Sequence, residues 1–263
     1  MLRTLWGLAL LLILHPLIAS AELAIVAFPY PPYLMEDSSG PHGYVTDVWK
    51  EAVAGSEFDG MIHFYPLPRA HLMFRSGRAW VALGSADHYQ AATSGQGFSA
   101  HRIGQTPFVL FYARHGAPMP PASLRELRGD TVCGQRESAA TRALEDSGLH
   151  ISGVTDIQSS ISMVLAGRCK FGFGASYTIQ ASSEAMGVAD QLGFVDFTFI
   201  SVGLDILVSD AYPKASELNA LLHRRLMEMR RSGALSRIAG HYFHNSASAY
   251  VPESMIVTKI GTH

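Results

Sequence analysis

Residues 22–33 carry the sequence ELAIVAFPYPPY, and this stretch sets the organisation of the first part of the chain. The apolar run at 22–28 has the length of a short buried strand. The prolines that follow belong to a loop, because proline has no backbone N–H with which to join a sheet. Beyond Gly43, apolar side chains recur at helical spacing from Val45 to Ala52. The stretch therefore predicts a strand, an aromatic loop and a helix in that order.

The same alternation of strands and helices continues along the chain. Before residue 118 the further predicted elements are strands at 63–67, 80–83 and 107–113 and a helix at 69–75. Pro118, Pro120 and Pro121 interrupt the pattern, which then restarts. The later predicted elements are strands at 131–133, 170–173, 194–199 and 204–208 and helices at 138–147, 158–166 and 216–231. Two α/β units in tandem are predicted, each with a mostly parallel sheet flanked by helices.

The composition is that of a globular chain. Of its 263 residues, 48% are hydrophobic and 16% are charged, which excludes a disordered protein. A net charge of −2 gives no electrostatic basis for binding nucleic acid. His241 and His244 could share a helix face, but no third ligand follows at a known spacing, so neither a metal site nor a cofactor is predicted. The sequence contains no GxSxG, HExxH or P-loop motif, and we expect the protein not to be an enzyme.

Residues 1–21 predict a secretory signal peptide. Arg3 supplies a short positive region, residues 5–18 are largely apolar, and residues 19–21 (ASA) form a small-residue cleavage site. The alternative is a membrane anchor, but the apolar run is about 14 residues long and a spanning helix needs about 20. Cleavage after Ala21 would release the chain into the periplasm.

Cys133 and Cys169 are the two cysteines of the sequence. In an oxidising compartment, a single pair of cysteines favours one disulfide bond. Closing a loop of this size would stabilise the fold by about 3–4 kcal/mol in the chain-entropy model. Two separate buried thiols are the alternative.

An ordered set of short segments resembles a known family. The segments are FPYPPY at 28–33, GYVTDV at 43–48, LRELRGDTV at 124–132, VLAGR at 164–168 and MRRSGALSRI at 229–238. Together they resemble the bacterial extracellular solute-binding proteins of family 3, the periplasmic binding proteins of polar amino-acid ABC transporters. The ordered set covers nearly the whole chain after residue 21.

The resemblance implies a two-lobed fold of the type II periplasmic-binding-protein kind, with two strands forming a hinge. Lobe 1 would comprise residues 22–110 and 205–245, and lobe 2 residues 111–204, with a tail at 246–263. The crossing strands would lie near residues 109–113 and 202–206. A small ligand would then be held between the lobes.

The positions that anchor an α-amino acid in that family depart from the pattern here. The resemblance places the arginine that binds the α-carboxylate near Ala92 and the aspartate that binds the α-ammonium near Ala175. A carboxylate ligand would instead meet Asp87 and Glu137. An unpaired charge in such a desolvated position costs on the order of a few kcal/mol. An ordinary α-amino acid is therefore not the expected ligand.

Several polar residues remain candidates for ligand binding. Asp87 and Glu137 could suit a cation; alternatively, they point to solvent or pair with Arg69, Arg102 or Arg136. Arg69 could serve as a pocket cation or lie on the surface at the start of a helix. The complete set of predicted ligand-binding residues is Tyr30, Tyr33, Arg69, Ser85, Asp87, Glu137 and Ser138.

The two tyrosines are included because proteins of the family that this chain resembles often place an aromatic ring from this loop against the ligand. Tyrosine rings attract cations and stack on planar groups. For Tyr30 the alternative is a purely structural packing role. Ser85 and Ser138 enter it because they match small or hydroxyl residues near the ligand in the resembling proteins.

Four functions stay open at this stage. The expected one is a monomeric solute-binding protein that delivers a small polar molecule to an ABC permease. The second is a periplasmic ligand sensor that presents its closed form to a membrane receptor. The third is an enzyme on the same scaffold, for which Asp87 with Glu137 or Lys170 could form the acid–base pair. The fourth is a degenerate member that binds protein.

Overall fold

The computed structural model describes residues 23–90, 97–115, 121, 123–195 and 201–243. The predicted signal peptide and C-terminal tail lie outside these residues. The strands are β1 Ile25–Ala27, β2 Met35–Asp37, β3 Gly40–His42, β4 Ile62–Phe64, β5 Val81–Gly84, β6 Phe98–Ala113, β7 Val132–Gln135, β8 Ile151–Val154, β9 Phe171–Ala175, β10 Leu192–Val195 and β11 Ser201–Ser209. The helices are α1 Tyr44–Val53, α2 Leu67–Arg75, α3 Ala86–Gln90, α4 Ala139–Asp146, α5 Ile157–Leu165, α6 Ser176–Ala185, α7 Ala215–Arg231 and α8 Ala234–Tyr242.

Apart from β2 and β3, which pair only with each other, the strands form two groups with the same arrangement. In the first group β1 lies between β4 and β5, parallel to both. In the second group β7 lies between β8 and β9, again parallel to both. Parallel strands need crossover connections, and helices α2 and α5 lie within two of these connections. The predicted α/β class with mostly parallel sheets is confirmed.

Strand β6 joins the two groups. Its first part, up to Pro107, pairs antiparallel with β11, which in turn pairs with β5 of the first group. From Phe108 onward it pairs antiparallel with β9, and its last residues also pair with β10. One continuous strand therefore contributes to both groups. We refer to the group around β1, with β11, the first part of β6 and helices α1, α2, α3, α7 and α8, as lobe 1. We refer to the group around β7, with the last part of β6 and helices α4, α5 and α6, as lobe 2.

The buried faces of the helices follow the apolar spacing of the sequence. In α7 the four buried side chains are Leu218, Leu222, Leu226 and Met229, which follow one another at three- or four-residue intervals. In α1 the ring of Trp49 is fully buried among apolar neighbours of lobe 1. Packing of these apolar faces on the sheet supplies most of the stability of such helices in proteins.

A disulfide bond joins Cys133 to Cys169. Cys133 lies in β7, and Cys169 lies in the turn that leads into the neighbouring strand β9. Both cysteines are buried, so the pairing agrees with the prediction of a single bridge. Within the described residues, no helix combines the length and the apolar character needed to cross a membrane.

Candidate ligand-binding site between the lobes

The aromatic loop after β1 is fastened to the start of α1. The amide of Tyr44 donates to the carbonyl oxygen of Pro32, and the amide of Val45 donates to that of Tyr33. Gly43 has a φ of +115°, and a Cβ atom there would lie 2.5 Å from the Tyr33 carbonyl oxygen. Only glycine meets both requirements, which explains why Gly43 precedes the helix. Backbone contacts therefore fix where the loop joins the helix.

The two predicted tyrosines of this loop are both buried but differ in their hydrogen bonds. Tyr33 donates its hydroxyl to the Oγ1 atom of Thr106 on β6, at 2.7 Å. The hydroxyl of Tyr30 has no hydrogen-bond partner among the described residues. Burial raises the pKa of both phenols, so both are neutral at physiological pH. The ring of Tyr30 lies 5.1 Å from that of Tyr33 and 6.3 Å from that of His88, centroid to centroid.

The short helix α3 carries Asp87 and is anchored by strand β11. The buried carboxylate of Asp205 accepts a hydrogen bond from the amide of Ala86 at 2.8 Å and another from Nε of Arg102 at 2.5 Å. Burial raises the pKa of Asp205, while Arg102 acts in the opposite direction. Asp205 thus caps the first turn of α3, where backbone N–H groups lack helical partners.

Asp87 itself has protein partners. Its Oδ2 atom accepts from the amide of Gly203 at 3.2 Å and lies 3.4 Å from the hydroxyl of Ser85. The amide of Asp87 in turn donates to the hydroxyl oxygen of Ser85, which is fully buried. These contacts fasten α3 to the strand that pairs with β6. None of Arg69, Arg102 and Arg136 forms an ion pair with Asp87, and Arg102 pairs with Asp205 instead.

Two histidines that the sequence analysis did not select lie beside this helix. His71 on α2 and His88 on α3 are each 2% exposed. Nε2 of His71 and both ring nitrogens of His88 have no hydrogen-bond partner in the described part of the chain. Burial is the main cause that lowers the pKa of His71 to about 4 and that of His88 to about 3, and the charge of Arg142 lowers both further. Both imidazoles are therefore neutral at physiological pH.

Tyr89 completes this group on lobe 1. Its ring centroid lies 4.7 Å from that of His71, and its buried hydroxyl also lacks a partner among the residues the structure describes. Tyr30, His71, His88 and Tyr89 are connected through these ring contacts and through the electrostatic effect of His71 on His88. We call these four side chains the neutral aromatic cluster. Buried polar atoms are nearly always hydrogen-bonded in native proteins, so an accumulation of this kind needs an explanation.

Lobe 2 presents the start of α4 to the same region. Ser138 caps the helix, its hydroxyl oxygen accepting from the amide of Thr141 at 3.0 Å. Glu137, immediately before the cap, adopts a φ of +61° and is exposed. Its Oε2 atom lies 3.6 Å from Nδ1 of His71 on lobe 1. Since burial keeps His71 neutral, this contact joins a carboxylate to an uncharged ring rather than two opposite charges.

Arg142, one turn into α4, spans the two lobes. Its Nη1 donates to the carbonyl oxygen of Glu137 at 2.6 Å in its own lobe. Its Nη2 donates to the carbonyl oxygens of Asp87 and His88 on lobe 1, each at 3.2 Å. Hydrogen bonds from a charged donor are stronger than neutral ones. The guanidinium therefore fastens α4 of lobe 2 to α3 of lobe 1.

A second contact between the lobes is aromatic. Tyr177 on α6 of lobe 2 lies 6.3 Å from the ring of Tyr33 and 4.8 Å from that of Phe243, centroid to centroid. Phe243 follows α8, and the hydroxyl of Tyr242 beside it donates to Asp47 of α1. Tyr242 therefore fixes the end of α8 to lobe 1, while the ring of the next residue, Phe243, contacts lobe 2.

The structure brings most of the predicted residues to this region. Tyr30 and Asp87 lie on the lobe 1 side, with Tyr33 and Ser85 supporting them, while Glu137 and Ser138 lie opposite on lobe 2. Arg69 is exposed on α2, with its guanidinium 4.6 Å above the ring of Tyr65. Within the described residues, no hydrogen bond or ion pair joins Arg69 to the other candidates, and its role in binding stays a prediction.

Sequence reasoning missed His71, His88 and Arg142. Each lies within four residues of one that was selected: His71 is two positions after Arg69, His88 directly follows Asp87, and Arg142 is four positions after Ser138. Chemical type alone gave no reason to select them, since buried histidines are common. The described residues contain no group of three or more His, Cys, Asp or Glu side chains that could hold a metal ion.

Comparison with known proteins places the fold. The sequence matches no protein-family model and none of the curated proteins. Among solved structures, a histidine kinase sensor domain described as similar to periplasmic binding proteins is 19% identical, with a TM-score of 0.72 over 85% of this chain and 96% of that one. The GluR0 ligand-binding core from Nostoc punctiforme, in complex with L-glutamate, is 14% identical, with a TM-score of 0.68 over 84% and 99%.

A third structure comes from a study of glutathione import through GshT and the cystine ABC importer TcyBC of Streptococcus mutans. It is 14% identical, with a TM-score of 0.72 over 90% of this chain and 100% of that one. These neighbours are binding proteins and ligand-binding domains. The chain therefore has the two-lobed fold of periplasmic binding proteins, as the resemblance implied.

Proposed function

We propose that the protein is a periplasmic solute-binding protein that captures a small polar molecule between its lobes and delivers it to an ABC permease. In this proposal residues 22–110 and 205–245 act as lobe 1 and residues 111–204 as lobe 2. Residues 1–21 direct export and are removed, and the protein acts as a monomer. The lobes close on the ligand because the ligand contacts both of them, and differential contact is what shifts such an equilibrium.

One observation carries the proposal: unpartnered buried polar atoms and a hydrogen bond between the lobes occur at the same place. The neutral aromatic cluster lies on lobe 1, and Nη2 of Arg142 on lobe 2 donates to the carbonyl oxygen of His88, a member of the cluster, at 3.2 Å. Leaving a buried donor or acceptor unsatisfied costs about 1–3 kcal/mol. A ligand that supplies the missing partners recovers this free energy on binding.

An ordinary α-amino acid fits the site poorly. Ala175, where the resemblance places the aspartate for the α-ammonium, is a buried alanine at the start of α6. Arg142 is a cation, but its guanidinium already donates to three backbone carbonyl groups. Asp87 likewise has its own protein partners. Both charged ends of an amino acid would therefore compete with existing contacts.

A ligand sensor is the second candidate. It is supported by the likeness to a histidine kinase sensor domain and by the contact of Phe243 with Tyr177. Because Phe243 lies at the end of α8 and Tyr177 lies in lobe 2, closure of the lobes would change the contact between these rings at the C-terminal side of the described chain. A receptor could read that change as readily as a permease could.

Thermal unfolding of the purified protein in the presence of amino acids, polyamines, small organic acids, sugars and uncharged amides tests the proposal. A ligand at a hundred times its Kd adds about 2.7 kcal/mol to the free energy of unfolding. The Arg142→Ala variant is expected to lose most of the ligand-induced shift. Arg136→Ala is the matched control, since Arg136 is exposed and donates within lobe 2 to Gly153. If no compound in the panel raises the melting temperature, capture of a small molecule is contradicted.

A further inference from the structure

The chemistry of the neutral aromatic cluster also restricts the charge of the ligand. All four of its side chains are uncharged at physiological pH, two as phenols and two as neutral imidazoles. Five of their buried polar atoms lack a partner among the described residues. Elsewhere in the described chain such atoms occur on α1, α6 and α7, but here four neighbouring side chains contribute them.

The neutral state of these groups determines what they can bind. A neutral imidazole carries one N–H donor and one acceptor nitrogen, and a phenol hydroxyl can donate and accept. The cluster therefore offers donors and acceptors in mixture and no net charge. A ligand ion would lose its hydration on entering this environment and receive no compensating charge from the cluster.

Three charged side chains near the cluster are already engaged or solvated. The carboxylate of Asp87 accepts from Gly203 and lies near Ser85. Glu137 is exposed, so water already solvates its carboxylate. The guanidinium of Arg142 donates to the carbonyl oxygens of Glu137, Asp87 and His88. To pair with Arg142 or Asp87, a ligand ion would have to displace one of these hydrogen bonds, and to pair with Glu137 it would have to displace solvating water.

We propose that the site takes an uncharged polar molecule that carries both hydrogen-bond donors and acceptors, in the manner of a carboxamide or a nucleobase. This inference rests on the proposed function and deepens it. Of the two alternatives for Asp87 and Glu137, it disfavours the one in which they suit a cation. Aromatic side chains around the polar atoms favour a flat ligand, because planar groups pack well against rings.

Calorimetric titration with two sets of probes tests the inference. The uncharged set is nicotinamide, uracil and D-glucose, and the charged set is L-arginine, L-glutamate, putrescine and succinate. Measurable binding is expected only in the uncharged set, and its Kd should change less than twofold between 20 and 500 mM NaCl, because salt screens charge interactions only. Strongest binding by a charged probe would overturn this inference while leaving solute binding intact. Binding by no probe in either set would count against both proposals.

Variants show whether the cluster itself makes the contact. Tyr30→Phe removes only an unpartnered hydroxyl, and His88→Asn keeps a polar side chain at the second position. Each is expected to weaken binding of the best uncharged probe at least tenfold. Tyr44→Phe is the control, because the Tyr44 hydroxyl donates to the carbonyl oxygen of Ile103 in lobe 1. Unchanged Kd values for both Tyr30→Phe and His88→Asn would show that the ligand binds elsewhere.

Discussion

The guanidinium of Arg142 donates to the carbonyl oxygen of His88 at 3.2 Å, across the boundary between the two lobes. The donor lies on α4 and the acceptor on α3, 54 residues apart in the sequence. The same carbonyl belongs to a residue whose ring nitrogens have no partner in the described chain. His88 therefore takes part both in the contact between the lobes and in the neutral aromatic cluster.

Removing this link should open the protein. For Arg142→Ala we expect the closed arrangement to lose about 1.5–3 kcal/mol relative to the open one, the range for hydrogen bonds that involve a charged group. Small-angle X-ray scattering of the ligand-free protein should then give a larger radius of gyration. Arg136→Ala should leave it unchanged, because Arg136 makes its contact within lobe 2. Equal radii for wild type and Arg142→Ala would contradict the role of Arg142.

The two loop tyrosines should respond differently to loss of their hydroxyl groups. Tyr33→Phe leaves Thr106 without its buried partner, so the free energy of unfolding should fall by about 1–3 kcal/mol. Tyr30→Phe removes a hydroxyl that has no partner in the described residues, so the ligand-free protein should be equally or slightly more stable. Urea denaturation of the two variants in parallel measures the difference. A larger loss for Tyr30→Phe would mean that its hydroxyl is bonded within the protein.

The disulfide bond should contribute substantially to stability. Replacing Cys133 and Cys169 together by alanine should lower the free energy of unfolding by about 3–4 kcal/mol, since the bond closes a loop of 36 residues. Differential scanning calorimetry can measure this loss. Dithiothreitol should destabilise the wild type but not the double variant, and equal sensitivity would indicate that the wild-type thiols are not joined.

Acid should destabilise the protein through its buried histidines. The pKa values of His71 and His88 are lowered in the folded state to about 4 and about 3, from an ordinary value of 6.5. The unfolded chain thus binds more protons below pH 6.5, and stability falls as the pH decreases from there toward 4. At pH 5.5 the two groups together should cost about 2–3 kcal/mol relative to pH 7.5.

The double variant His71→Phe/His88→Phe isolates this contribution. It should be less sensitive to pH between 7.5 and 5.5 than the wild type in urea denaturation. Residual pH dependence is expected from His101, whose pKa burial also lowers. Identical pH profiles for the variant and the wild type would show that His71 and His88 titrate normally in the folded protein.

Much of the fold could be predicted from local patterns. The apolar stripe of α7 and the proline-rich loop after β1 were both found where the sequence indicated. Strand β6 was predicted only from residue 107, although it begins at Phe98. In its earlier part, His101 hydrogen-bonds to Asn219 and Arg102 pairs with Asp205. These polar side chains interrupt the apolar pattern from which a strand would be predicted.

Helix α6 was missed for a related reason. Its buried positions include the hydroxyl residues Thr178, Ser182 and Ser183, so no apolar stripe marks the helix in the sequence. The site was only partly predictable because its members converge from separate elements. His71 and Arg142 come from helices of different lobes, and their proximity depends on the tertiary structure.

The passage of β6 from one sheet into the other has a mechanical meaning. If the lobes were joined only by a linker, each lobe could unfold independently. Here one uninterrupted strand is hydrogen-bonded in both groups of strands, to β11 on one side of Pro107 and to β9 on the other. The residues on either side of Pro107 should consequently exchange with solvent deuterium at similar slow rates. Lobe motion would then bend β6 elastically while its hydrogen bonds on both sides of Pro107 persist.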